Sequence, residues 1–385
     1  MTDTTTRPIA TGTNRTGAPR LPGLDVTRAV ALIGVAIMNY HGYLNGGQAT
    51  RTSSFAEHVF DTDQGPLSTR FAATFVLVAG MGVTLLTNRS RLSGDRAAIR
   101  DDRWRLIRRG VLLYAFGFFV EWIWNGTILF YYGAFFVVAA LLFTLSARWL
   151  VAIGSGAALA GAGIAWKVFE KALDGDNVQW LDPRHVDSPR ELLIRTFIGY
   201  THPLLPWVAF LCAGIILGRW LPLAATRRRV LVAAGAAMFA GTYAINFVGL
   251  RLATHNFTVN TVSARRWRKL LSTGPFDRGL LYTIGTLGSS LVAFCLIAWV
   301  SDRFPTARLT RLFQHAGQMT LTLYLCHVLV FNAVVNWWHL VRPTGLDTAL
   351  VFAITFWIGA IAAGAAWHRW LGMGPLERLY RAFGG

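Results

Sequence analysis

Residues 21–43 read LPGLDVTRAVALIGVAIMNYHGY. The stretch is long and apolar enough to cross a bilayer, since ~20 helical residues span the ~30 Å hydrocarbon core. Yet it carries Asp25 and Arg28 near one end and Asn39, Tyr40 and His41 near the other. Ionisable groups in a membrane span are costly and rare, so these are candidates for function, although Asp25 and Arg28 also suit a helix start and an inside anchor.

The rest of the chain fits the same reading. Of 385 residues, 54% are hydrophobic and 15% charged, which argues for a membrane protein over two soluble domains. Ten apolar runs predict an all-α integral membrane bundle of about ten transmembrane helices: 24–45, 66–87, 105–124, 128–146, 149–169, 203–221, 229–250, 279–300, 316–340 and 347–370. The formal charge of +18 suggests nucleic acid at first, but the basic residues cluster between apolar runs, where membrane lipids and the positive-inside rule explain them. No nucleic-acid partner is expected. Lysine occurs only at 167, 171 and 269, the composition of a high-GC bacterial genome. Cys212, Cys295 and Cys326 fall inside apolar runs without CxxC spacing and read as core residues, so neither disulfide nor metal is expected.

Three domain segments follow. Residues 1–23, rich in Thr, Gly and Pro, read as a disordered cytoplasmic tail without a secretory signal. Residues 24–371 form the polytopic domain, and 372–385 a cytoplasmic C-terminal tail. Orientation comes from Asn88–Gly110, whose eight arginines place that segment inside. Alternation then puts both termini in the cytoplasm and His41 near the outer surface. The outer segment Arg251–Arg278 breaks the rule with Arg251, Arg265, Arg266, Arg268, Lys269 and Arg278. Either the helix count is off by one here, or the charge serves an anionic lipid or acceptor on that side. The small residues of AIGSGAALAGAGIAW, 152–166, are expected to permit close helix packing.

Several groups could carry chemistry. Asp25 and Arg28, three apart, share a helix face and can pair. Asn39 lies eleven residues beyond Arg28, roughly 16 Å deeper at the helical rise. His58 and Asp61 follow in the next outer segment. His202 precedes the sixth run, where Pro203 and Pro206 suit a helix start. His327 lies mid-helix with Tyr324 one turn before it. Arg105, Arg108 and Arg109 begin the third run, and guanidinium forks suit phosphates.

Three stretches together resemble a family. LPGLDVTRAVALIGVAIMNY (21–40), HPLLPWVAFLCAGIILGR (202–219) and LTLYLCHVLVFN (321–332) are similar, in order, to signatures of the heparan-α-glucosaminide N-acetyltransferase-like proteins and their bacterial relatives, in the transmembrane acyltransferase superfamily. There a Leu-Asp-x-x-Arg-Gly start leads to a terminal Asn-Tyr or His. The resemblance implies a membrane acetyltransferase taking an acyl group, usually acetyl, from cytoplasmic acyl-CoA to a sugar or glycolipid of the cell envelope. Asp25 and Arg28 match the acid and base of that first signature, and together with Arg105, Arg108 and Arg109 they are expected to serve acyl-CoA. Asn39 matches the polar residue ending the first signature, His58 is the candidate general base, and His327 matches the late histidine. His202, Arg265, Arg266 and Arg268 would face the acceptor. Ala29 stands where the family has Gly, and the long gap from Asn39 to His58 lets His41 compete for the catalytic role.

Two rival readings remain. A lipid or solute transporter would explain the bundle, but no pair of Gly/Pro-broken helices in corresponding halves supports it. A structural membrane partner would need none of the histidines. The bacterial inner membrane is the expected location, and self-association is left open.

Overall fold

A computed structural model describes residues 21–45, 55–62, 65–183, 186–199, 201–256, 261–341 and 346–384. Its α-helices in chain order are α1 (Pro22–Asn45), α2 (Phe55–Phe60), α3 (Arg70–Ser93), α4 (Arg96–Val120), α5 (Leu129–Leu142), α6 (Ala147–Leu173), α7 (Pro189–Phe197), α8 (Leu204–Gly218), α9 (Ala225–Asn256), α10 (Val262–Leu270), α11 (Leu280–Arg303), α12 (Arg308–Gln318), α13 (Thr320–Phe331), α14 (Leu346–Leu371) and α15 (Pro375–Gly384). Among the described residues there is no β-strand. A short π-helical segment, Asn332–Trp337, extends α13.

Each of the ten apolar runs coincides with a helix. Seven helices are long and apolar enough to cross a membrane: α1, α3, α6, α9, α11, α14, and α13 with its π extension. Helices α5 and α8 are apolar but shorter, and α4 begins with the arginine-rich turns. The chain is thus a multi-pass membrane protein.

Small residues set the helix pairs. Glycines 110 and 117 of α4 lie against Gly133 and Phe130 of α5, which makes an antiparallel hairpin. In α6 the expected packing holds for one face: Gly154 and Gly161 abut Ala209 and Pro206 of α8, while Gly156 and Gly163 face open space. Helix α1 runs through the centre, against α3, α11, α12, α13 and α14. It approaches α12 so closely that a Cβ on Gly317 would lie 1.8 Å from the carbonyl oxygen of Asp25.

These contacts give the bundle two distinct ends. At one, Asp25 of α1 meets Gln318 at the end of α12. At the other, Asn39 of α1 meets His327 of α13, so α1 and α13 run parallel. The C-terminal segment, read from sequence as a tail, contains a docked helix. Glu377 of α15 accepts the backbone N–H groups of Leu321 (2.7 Å) and Thr322 (3.1 Å) and the Thr322 hydroxyl (2.6 Å), satisfying donors at the start of α13.

Candidate active site

The polar end of α1 opens into a cavity of about 530 Å³. Val35, Met38, Asn39, Gly42 and Tyr43 line it at helical spacing, one stripe of α1. Ser68 and Thr69 lead into α3, and Thr69 sits with φ 58° at its N-cap. The turn between α4 and α5 adds Trp124, Asn125 and Gly126, while His202, Phe276 and Tyr324 close the wall. Tyr43 stacks on the fully buried Trp124 at a centroid distance of 3.7 Å, so the indole backs the Tyr43 ring.

Asn39 is held from behind. His327 is fully buried, and its Nδ1 lies against the backbone carbonyl of Tyr324. A carbonyl only accepts, so Nδ1 carries the proton and Nε2 presents a lone pair. That lone pair takes an N–H of Asn39 at 3.2 Å, which fixes the amide orientation. The other amide hydrogen and the side-chain oxygen of Asn39 are left for a ligand. The surrounding wall is rigid: the Tyr40 hydroxyl donates to the carbonyl of His327 at 2.9 Å, and Tyr324 and Thr127 share a hydrogen bond of 2.8 Å.

His202 stands across the cavity in the turn ahead of α8, with its ring 4.7 Å from Trp207 and 5.8 Å from Tyr131. Its Nδ1 is buried with no hydrogen-bond partner among the described residues. Burial, with the Arg278 charge nearby, pushes its pKa down to about 3. The imidazole is therefore neutral at physiological pH, and the same desolvation makes it a weaker base than a free imidazole. His202 does not cap α8: Pro203 occupies the N-cap, and Leu205 breaks the helical backbone ahead of Pro206.

The other sequence-predicted residues lie elsewhere. His41 is fully buried on the far face of α1, its Nδ1–H donating to the Ile37 carbonyl at 2.7 Å and its ring against Phe60. His58 is exposed on α2 and does not line the cavity, and Asp61 is half-buried next to the cavity residue Thr62. Arg265, Arg266 and Arg268 are exposed on α10, away from the lining. There Arg266 forks onto Glu170 of α6 at 2.5 and 2.8 Å. Among the described residues no group of three or more His, Cys, Asp or Glu could hold a metal ion.

At the opposite end Arg28 donates to Asp25 at 3.2 Å, as the spacing predicts, and Asp25 also accepts from Gln318 at 3.1 Å. The Arg28 guanidinium occupies space left by Gly82, whose added Cβ would lie 2.6 Å from Nη2. Its charge acts on Tyr380 of α15, over whose ring Arg109 lies at 5.2 Å. These two arginines, which raise no common helix-face signal in the sequence, share one neighbourhood. Arg105 is instead tied to Asp102 at 2.7 Å, and Arg108 is exposed.

Sequence reasoning missed Trp124, Asn125 and their support. Glu121 forms a buried ion pair with Arg195 of α7. A carboxylate inside the run 105–124 was itself a signal, by the same cost argument applied to Asp25. The arrangement defines a class: a polytopic helical membrane protein with a polar, aromatic-walled cavity at one end of a central helix and paired arginine chemistry at the other. Residues 20–251 match the family described as heparan-alpha-glucosaminide N-acetyltransferase, catalytic, and residues 225–384 match a family described as protein of unknown function (DUF418). The chain belongs to the heparan-α-glucosaminide N-acetyltransferase-like family of transmembrane acyltransferases, a family of membrane acetyltransferases. No curated protein matches it.

Proposed function

We propose that the chain moves an acyl group, an acetyl, from cytoplasmic acyl-CoA to a hydroxyl or amine of a sugar or glycolipid on the extracytoplasmic side of a bacterial inner membrane. The observation that carries this is the stripe on α1. Arg28 and Asn39 are eleven residues apart, three helical turns, so they share a face and stand about 16 Å apart. A donor bound by its phosphates at one end can present its thioester toward the other.

In this reading all ten apolar helices cross the membrane. The Asp25 end faces the cytoplasm because the arginines of 88–110 gather there. Arg28 and Arg109 hold the nucleotide phosphates, and Asp25 sets the Arg28 fork. At the Asn39 end the acceptor packs against Tyr43, which Trp124 backs. His202, neutral in the empty site, takes the proton of the attacking hydroxyl or amine only as the new bond forms, because burial disfavours a standing imidazolium, while the free N–H of Asn39 steadies the oxygen that gains charge. The C–S bond breaks, and the proton leaves with the CoA thiol.

Acetyl-CoA titrated calorimetrically into the purified chain tests the donor side. Saturable binding should weaken about tenfold or more in Arg28→Ala, the loss of a charge-assisted hydrogen bond, and less in Arg108→Ala. No binding by a folded protein would move the assignment to a transporter.

A further inference from the structure

Asn125 is fixed at both of its oxygens. Its backbone carbonyl accepts the hydroxyl of Tyr43 at 3.0 Å, and its side-chain oxygen accepts Nη2 of Arg195 at 3.1 Å. A guanidinium has donors only, so the atom facing Arg195 must be the amide oxygen. What Asn125 can offer a ligand in the cavity is its amide nitrogen, with two hydrogens.

The support is buried and specific. Arg195 is 1% exposed, pairs with Glu121 and lies over the ring of Phe130 at 5.6 Å. Glu121 in turn accepts the backbone N–H of Gly126 at 2.9 Å, which closes the turn around Asn125. A buried ion pair is no efficient way to stabilise a turn, because desolvation offsets most of the attraction. It is an efficient way to hold one amide in one orientation. The Tyr324 hydroxyl on this wall is already committed, since it bonds Thr127 and accepts from the backbone of Ile128.

We propose that Asn125 is the second hydrogen-bond donor of the transfer site, with Arg195 as its positioning residue and Glu121 as the anchor of Arg195. The inference rests on the acyltransferase reading. When the acceptor oxygen or nitrogen bonds to the thioester carbon, the carbonyl electron pair moves onto its oxygen, and Asn125 and Asn39 both donate to that oxygen. Collapse re-forms the carbonyl and breaks the C–S bond. The sulfur leaves as thiolate and takes up the proton that the base removed.

The test uses the full chain in nanodiscs with acetyl-CoA as donor and glucosamine or a bacterial glycolipid fraction as acceptor. Asn125→Asp keeps an acceptor for Arg195 but removes both donors. It should lower kcat by about 100-fold, with KM for the acceptor and the unfolding temperature close to wild type. The bonds of Arg195 to Glu121 and Asn125 both come from one nitrogen, Nη2, so Arg195→Lys, with a shorter side chain and no planar head, should loosen the grip on Asn125 and lower kcat by less. In an Asn125→Ala background, Arg195→Lys should change kcat no further, because it acts through a side chain that is gone. An Asn125→Asp protein within threefold of wild type, or an Arg195→Lys loss that persists in the Asn125→Ala background, overturns the proposal while leaving the enzyme reading intact. A folded wild type that acetylates neither acceptor overturns both.

Discussion

His327 and His202 differ in what they can do. The first is spent on orientation, since its proton faces a backbone carbonyl and its lone pair holds Asn39. His327→Gln keeps an acceptor for Asn39 and should retain most transfer, whereas His327→Leu should lose about 10²-fold in kcat, the worth of one oxyanion donor. Steady-state rates of the two variants check this. His202 carries the pH prediction. Protonation destroys a base, and a pKa of about 3 keeps the imbalance on the neutral side. Its activity should therefore stay flat as pH falls through ~6.5, where an ordinary imidazole protonates, and fail only well below that. An acid limb of kcat/KM near 6.5 would transfer the role of base to another group.

Among the elements, α1 was the most legible. Its apolar length, the Asp25–Arg28 spacing and the polar residue at its far end are all local features, and the structure keeps each. The turn between α4 and α5 was not legible. Asn125 matters because Arg195 is seventy residues away and packs onto it, and no spacing rule records such a contact. His41 misled for the complementary reason: it lies two residues from Asn39, and 200° around a helix is the opposite face. Two element-level predictions follow from close contacts. Gly317→Ala should destabilise the α1–α12 contact by about 1–3 kcal/mol, the usual range for overpacking, seen as a lower unfolding temperature in detergent. Glu377→Ala strips α13 of its carboxylate cap and should release α15, read as faster proteolysis of the C-terminal segment at unchanged overall fold.

Across the whole molecule, the relative directions of the helices agree with simple alternation. Gly80 and Gly214 meet between α3 and α8, which run parallel, as the second and sixth runs must. The side of the membrane that each end faces is a prediction. Single cysteines at positions 58 and 108, both exposed on the surface, should react with an impermeant maleimide from opposite sides of sealed vesicles. Labelling of both from one side would break the alternation.

The cavity is also large enough to be wet. At about 530 Å³, with polar groups from Asn39, Thr69 and His202 on its wall, it has the room and the hydrogen-bond partners for solvent before an acceptor arrives. Water is itself a nucleophile, and the base that serves a sugar hydroxyl serves water equally. A donor delivered to an acceptor-free cavity is therefore exposed to hydrolysis. Selectivity for transfer then depends on how fully the acceptor expels solvent, and a slow thioesterase leak, suppressed as acceptor is added, is the intrinsic signature of a site built this way.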